Sequence, residues 1–337
     1  MSDFFCVNEN MDGIVLLAKK RGLTSFASLS NIKKALKTTK VGHTGTLDSF
    51  AQGLLVVCCG RLTRLAGNIT EFDKTYSAVI KFGAETDTLE YTGNIIKQAP
   101  LPDKNDLLKA LEHFTGPQMQ KPPLFSAIHV DGQRAGDLAR KGQISDIPER
   151  KIIVYSADLE DVKLNSQGKV LACLVKFTVS KGTYIRSLAR DIGNYCNSAA
   201  YLIGLYRSRI GDFKVEDAAA FSELDDFTID ACLNHEKDFK IEDKVYYGDN
   251  IQEEILAKIQ SFNRELAINC GFIIINLINK DALAEFSNGK PLKNRLFIED
   301  LYKIPNNSIV AVFFEDTFCG LLEKDEKGKI KYKFVKN

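Results

Sequence analysis

Two apolar runs carry almost no polar interruption, residues 13–18 and 54–59. The first reads as a buried strand, because it is too short for a helix and has no polar face. Residues 76–82 alternate in the manner of a strand, closed by Lys81-Phe82-Gly83. Residues 152–159 and 170–179 read as an antiparallel pair, with residues 165–169 supplying the turn. On the second strand of that pair Leu171, Cys173, Val175, Phe177 and Val179 share one face. A helix is expected over residues 25–36, after a polar cap. Another is expected over 103–114, where Leu107, Leu108, Leu111 and Phe114 fall on one side. A third is expected over 185–195, after Ser180–Thr183 breaks the preceding strand. Residues 116–123 read as a Gly/Pro loop. Beyond them, 272–277 and 309–314 read as strands and Asn288-Gly289 as a turn. Strands interrupted by helices, with antiparallel hairpins, indicate an α+β fold whose sheet is mixed and largely antiparallel. A small β-rich module is expected over residues 265–337. There is no internal repeat and no low-complexity segment.

Composition narrows the class. The chain has 337 residues, 45% hydrophobic and 26% charged, which is ordinary for a soluble globular protein. No apolar run approaches the ~20 residues a membrane span needs. Asp3 and Glu9 in the first ten residues argue against a secretory signal, so a cytoplasmic location is expected. Eight cysteines, none spaced C-x-x-C, are expected as free buried thiols. His43, His113, His129 and His235 show no ligand spacing, so no metal is expected. The net charge of +1 is uneven. Residues 216–258 hold 13 acidic and 4 basic side chains, which reads as a linker or helical spacer and leaves about +10 elsewhere. Basic clusters at Lys19-Lys20-Arg21, Lys33-Lys34 with Lys37 and Lys40, Arg61 with Arg64, Arg140-Lys141, and Arg207 with Arg209 permit a phosphate-binding face.

Three segments carry candidate chemistry. In Gly42-His43-Thr44-Gly45-Thr46-Leu47-Asp48, small residues allow close backbone approach ahead of a lone carboxylate. Such an Asp suits a nucleophile or base; it equally suits a cap on the next helix. Ser180-Lys181-Gly182-Thr183-Tyr184-Ile185-Arg186 lies at a strand-to-helix junction. There Lys181 and Arg186 could bind phosphate, pair with a buried carboxylate, or be an ordinary charged helix start. In Asp73-Lys74-Thr75-Tyr76, Tyr76 opens a strand and by itself fits a core-edge residue.

The order of these three segments resembles the TruB family of tRNA pseudouridine synthases. Gly13, Lys19 and Gly22-Leu23-Thr24-Ser25 match the opening of that family. Gly83, Glu85-Thr86-Asp87-Thr88 and Gly93 match a loop. Pro122-Pro123, Ser126-Ala127, Gly132 and Ala139-Arg140 match another loop. Leu205, Arg207, Arg209-Ile210-Gly211 and Phe213 match the segment after the helix. The resemblance runs from about residue 12 to 220. It implies a pseudouridine synthase catalytic domain over 12–250 and a PUA-like RNA-binding module over 265–337. It implies an isomerase acting on uridine at position 55, in the T-arm of tRNA, by base flipping. Asp48 would be the catalytic aspartate and Arg186 its partner, with charged ends within about 2.7–3.2 Å. Tyr76 would stack on the target base and move a proton. Leu205 would wall the base pocket, and His43 would stack into the T-loop. Gly42, Thr44, Lys181 and Tyr184 would complete substrate binding, and Lys19 would be a structural lysine beside the site. No cofactor, metal, membrane or guide RNA is implied, and a monomer is expected. The chain departs from the family at Ala18, Lys20, Ser49, Gln52, Phe125 and Ala135-Gly136, which puts the surroundings of Lys19 and one RNA contact in doubt.

Three other functional readings are weighed. A catalytically silent tRNA-binding or folding chaperone would keep the fold, but retention of Asp48, Tyr76 and Arg186 together argues against it. A dyskerin-like, guide-dependent enzyme would bring a long Lys-rich tail, which this chain lacks. A glycoside hydrolase has no support beyond Asp48 itself.

Overall fold

The computed structural model describes residues 12–126, 147–239 and 245–336, with 129–130, 133–134, 136 and 138 between the first two stretches. Cys6, Ala127, Gly132, Ala135, Ala139, Arg140 and Lys141 lie outside the described residues. The strands in chain order begin with β1 (Gly13–Lys19), β2 (Val41–His43), β3 (Gln52–Cys59) and β4 (Lys74–Phe82). A small hairpin follows, β5 (Ala84–Thr86) and β6 (Ile95–Gln98), then β7 (Gly116–Gln120) and the short pair β8 (His129–Val130) and β9 (Gln133–Arg134). The long strands β10 (Arg150–Leu164), β11 (Val170–Val179) and β12 (Ala200–Ile210) precede β13 (Phe213–Lys214). The C-terminal strands are β14 (Ile273–Asn276), β15 (Ser308–Phe314), β16 (Thr317–Lys324) and β17 (Ile330–Val335).

The large sheet runs β1-β3-β12-β4-β11-β10-β7, with β2 added to β3 and β13 to β12. All its pairings are antiparallel except the short β12–β3 contact at Tyr206/Gln52 and Arg207/Gly53. The second sheet, β14-β15-β16-β17, is four-stranded, with β14 parallel to β15. The expected α+β architecture and small C-terminal β module are therefore both present.

Double-sided burial explains why 13–18 and 54–59 show no alternation. On one face Val15, Leu17, Leu55 and Val57 pack against Leu29, Ile32 and Ala35 of the helix Ser25–Ala35. On the other face Ile14, Leu16, Leu54 and Val56 share a core with Phe272, Phe313, Phe318 and Phe334 of the C-terminal module. The far half of the sheet is also covered on both sides. Ala78, Ile80, Val175 and Phe177 pack under the helices Lys104–His113 and Ile185–Tyr195. Val79, Ala172 and Ile203 pack under the helix Ile229–Asp238.

Three expectations need correction. Residues 116–120 are an edge strand paired with β10, where Pro117 costs little because an edge leaves some N–H groups unpaired in any case. On the helix Lys104–His113 the buried face is Leu107, Ala110 and Leu111, and Leu108 is 45% exposed. The acidic stretch is neither linker nor spacer, since Ile229, Cys232, Leu233, Ile251 and Ile255 all lie in hydrophobic cores of the sheet. Asn288-Gly289 is a turn, as expected: Gly289, at φ 64°, ends the helix Lys280–Ser287 in a left-handed conformation. The seven described cysteines are free and buried, as expected.

Candidate active site

The loop between β2 and β3 carries Asp48, and three buried side chains hold that loop. Ser25 Oγ donates to the Leu47 carbonyl at 2.9 Å and accepts from the Leu47 N–H at 2.8 Å. Lys19 is fully buried, and its ammonium donates to the carbonyls of Leu23 (2.6 Å), Ala51 (2.7 Å), Lys20 (3.1 Å) and Ser49 (3.3 Å). Arg207, also fully buried, donates to the carbonyls of Leu54 (2.8 Å), Gly45 (3.2 Å) and Thr46 (3.3 Å). Loop carbonyls that would be orphaned inside the protein are thereby satisfied, and Asp48 is set on a rigid base.

Gly53 lets the Arg207 strand reach that position. Its φ is +116°, and a Cβ added there would lie 2.4 Å from the Arg207 carbonyl oxygen and 2.7 Å from its nitrogen. Gly53→Ala is therefore expected to destabilise the protein by about 3 kcal/mol, combining backbone strain with a clash that cannot relax. Urea unfolding checks this, and a midpoint equal to the wild type's would contradict it.

Asp48 faces Arg186, which lies 138 positions away in the first turn of the helix Ile185–Tyr195. Arg186 Nη2 donates to Oδ1 at 3.0 Å, and Nε stands 2.9 Å from Oδ2, which makes a two-point ion pair. The same guanidinium donates to the carbonyls of Thr88 and Phe125, each at 3.0 Å. Arg186 is 5% exposed, whereas the Asp48 side chain keeps 31% of its surface open to a cleft of about 1110 Å³. Tyr76 and Leu205 line this cleft from neighbouring strands β4 and β12, together with Lys181 and Tyr184.

Buried charges crowd behind the carboxylate. Burial pushes Lys19 down to about 7, against the pull of Asp48. Burial and the Asp48 charge push Glu90 up to about 7. Burial alone would lower Arg186, but Asp48 and Glu90 overcome it and hold the guanidinium above its ordinary value. A carboxylate presented to a cleft with a permanent cation at its back suits nucleophilic or proton-transfer chemistry.

The other expected site residues divide into two groups. Lys181 is at the rim, ion-paired with Glu71, and does not reach Asp48. Tyr184 stacks its ring under Arg150, 4.4 Å from the centroid, and its backbone is locked at both ends by Gln120. Gly42, His43 and Thr44 do not line the cleft. Thr44 is wholly buried and so offers substrate no surface; its N–H bonds to the Val56 carbonyl and its hydroxyl is unpartnered. His43 Nδ1 is also buried without a partner, and burial followed by the Arg207 charge lowers its pKa.

Sequence reasoning missed Glu90, Gln120, Arg150 and the clamping role of Arg207. None lies in a pattern that betrays it; each becomes visible only through what folding brings beside it. The family departures have a common explanation in part. Lys20 pairs with Glu223, and the Gln52 amide makes two bonds to the Asp225 backbone, whereas Ala18 bonds Ala219 and Tyr247 through its backbone alone. The Lys20 and Gln52 side chains are thus spent on docking the acidic stretch. Ser49 and Phe125 contribute to the site through their carbonyls, so their side-chain identity leaves those bonds intact.

The profile of the TruB family pseudouridylate synthase N-terminal domain matches residues 33–185. A tRNA pseudouridine synthase B of Treponema denticola is 38% identical, and the match covers 94% of this chain and 95% of that one. The chain belongs to the TruB family. A second relative of the same name, from Borreliella burgdorferi, is 40% identical over 71% of this chain and 82% of its own. Among solved structures, a Cbf5-Nop10-Gar1 complex superposes with a TM-score of 0.63 at 22% identity, covering 96% of this chain and 84% of that one. A similar value, 0.64 at 20% identity, relates it to an H/ACA RNP bound to a substrate RNA, covering 97% and 86%. At such identities the likeness is one of fold, and it extends through the C-terminal module. Membership of this family makes the protein a pseudouridine synthase.

Proposed function

We propose that this protein isomerises the uridine at position 55, in the T-arm of tRNA, and does so without a guide RNA. The observation that carries the reading is the two-point pairing of Asp48 with Arg186 in the wall of the large cleft that Tyr76 and Leu205 also line. The relatives named tRNA pseudouridine synthase B supply the substrate class. The reaction breaks the N1–C1′ bond, turns the uracil and rejoins it through C5; the C5 proton leaves and N1 gains one. Product and substrate are isomers, so no cofactor, water or metal enters the balance. Asp48 serves either by attacking C1′ or by assisting a glycal intermediate. Tyr76 stacks on the flipped base and shuttles the proton, and Leu205 walls the pocket. Residues 12–250 carry the chemistry and 265–337 add an RNA-binding module.

The test is incubation of the purified protein with an unmodified tRNA transcript alone, followed by base-specific chemical labelling. One pseudouridine per tRNA is expected, lost when position 55 is changed to cytidine. Absence of product from the unchanged transcript would overturn the reading.

Binding should follow from charge distribution. The helix Ile229–Asp238 packs on the Val79 face of β4, and Tyr76 and Ala78 belong to the opposite face, by strand alternation. This part of the acidic stretch therefore points away from the cleft. Affinity for tRNA is expected to fall by more than about tenfold between about 50 and 200 mM salt through counterion release. A flat salt dependence, or protection of the acidic segment by RNA in footprinting, would contradict this.

A further inference from the structure

The helix Ser25–Ala35 carries a side chain that the core does not use. Phe26 is 72% exposed, one residue into the helix. Two turns on, on the same face, Lys33 places its ammonium 4.9 Å from the ring centroid. A single apolar residue at a surface is ordinary and needs no explanation. Its surroundings are less ordinary. Residues 13–47 contain seven Lys and Arg and no Asp or Glu. Lys19 and Arg21 are buried and Lys20 is paired with Glu223. Among the described residues, Lys33, Lys34, Lys37 and Lys40 form no ion pair, and the last three are exposed. The start of the helix that carries them is also tied to the site: Ser25, next to Phe26, is bonded at both the N–H and the carbonyl of Leu47, next to Asp48.

An open aromatic face among unpaired cations complements one common polymer, a chain of flat bases joined by phosphates. We infer that Phe26 is a stacking platform for an unpaired nucleobase of the RNA substrate, with Lys33, Lys34, Lys37 and Lys40 holding the adjoining phosphates. This rests on the reading of tRNA as substrate and adds a contact outside the cleft.

The test uses the full chain, a T-arm stem-loop RNA and a blunt RNA duplex of equal length. Phe26→Ala removes nothing from the core, so its melting temperature should equal the wild type's. Its Kd and KM for the stem-loop should rise by roughly tenfold, the value of a single base stack. Its single-turnover rate at saturating RNA should not change, and Phe26→Tyr should restore affinity. Duplex binding should be unaffected by Phe26→Ala, because no base is free to stack. Replacing Lys33 and Lys34 by Ala should lower the salt slope by about one for each phosphate no longer bound, on both RNAs. Wild-type Kd and KM for Phe26→Ala on the stem-loop would overturn the proposal and leave the patch to a protein partner. An equal loss on the duplex would overturn the stacking role. Neither result touches the tRNA reading, which fails only if the wild type makes no pseudouridine.

Discussion

Asp48→Asn is expected to abolish turnover, by roughly 10⁴-fold or more, while tRNA binding survives. The substitution keeps the shape of the side chain, and the loop beneath it is held by Ser25, Lys19 and Arg207 through backbone atoms alone. The cleft should therefore keep its form. What is lost is charge and nucleophilicity at the one carboxylate that the Arg186 pairing presents to the cleft. An amide cannot attack C1′, and it cannot take a proton on the glycal route, so the prediction holds for both mechanisms. Single-turnover labelling of the product, beside a filter-binding Kd, separates chemistry from affinity. Product formation at the wild-type rate would remove Asp48 from the mechanism. Loss of binding together with activity would assign it a substrate-holding role instead.

Arg186→Lys is expected to lower kcat by roughly 10²–10³-fold although the charge is conserved. The guanidinium meets both Asp48 oxygens and the carbonyls of Thr88 and Phe125 at once. One ammonium cannot span four acceptors lying on three segments of chain, so carboxylate geometry and the approach of the 88 and 125 loops should both loosen. Arg186→Met goes further by removing the cation. Activity near neutrality should then fall by more than in the lysine variant, because the carboxylate loses the charge at its back as well as its geometry. The variant also leaves Asp48 without its cation, so a lower melting temperature is expected. A lysine variant with full kcat would show that the pairing is structural and not part of the chemistry.

Local pattern made several parts of the fold legible. The strand at 170–179, with Cys173, Val175, Phe177 and Val179 inward, is read directly from alternation, because that face is buried along most of its length while the other, with Lys176 exposed and Leu174 and Thr178 half-buried, is covered only in part. The helix Ile185–Tyr195 is bounded as expected, because its start is marked by a break and its buried face by helical spacing. Candidate chemistry was equally local: Asp48 stands alone after a Gly/Thr loop, and the ordered segments around Asp48, Tyr76 and Arg186 carry the family resemblance.

Periodicity is silent where both faces are covered or where an element lies at an edge. Residues 54–59 became a strand only through partners on each side, the helix Ser25–Ala35 and the C-terminal phenylalanines. Residues 116–120 look like a loop until β10 supplies their hydrogen bonds. The acidic stretch looks like solvated spacer because its few buried residues, such as Cys232 and Ile255, are spread among 13 carboxylates.

By itself, then, the sequence determined the elements with one-sided burial, the identity of the lone carboxylate and the family. Only the tertiary structure decided what stands around that carboxylate. It placed Arg186 at 2.9 Å, turned Lys19 and Arg207 inward onto loop carbonyls, brought Glu90 near, and kept Thr44 out of the cleft. The physical reason is range. Helix and strand preferences are set by neighbours a few positions apart, whereas a buried charge is stable only through partners that folding delivers, here from as far as 162 positions away, between Arg207 and Gly45.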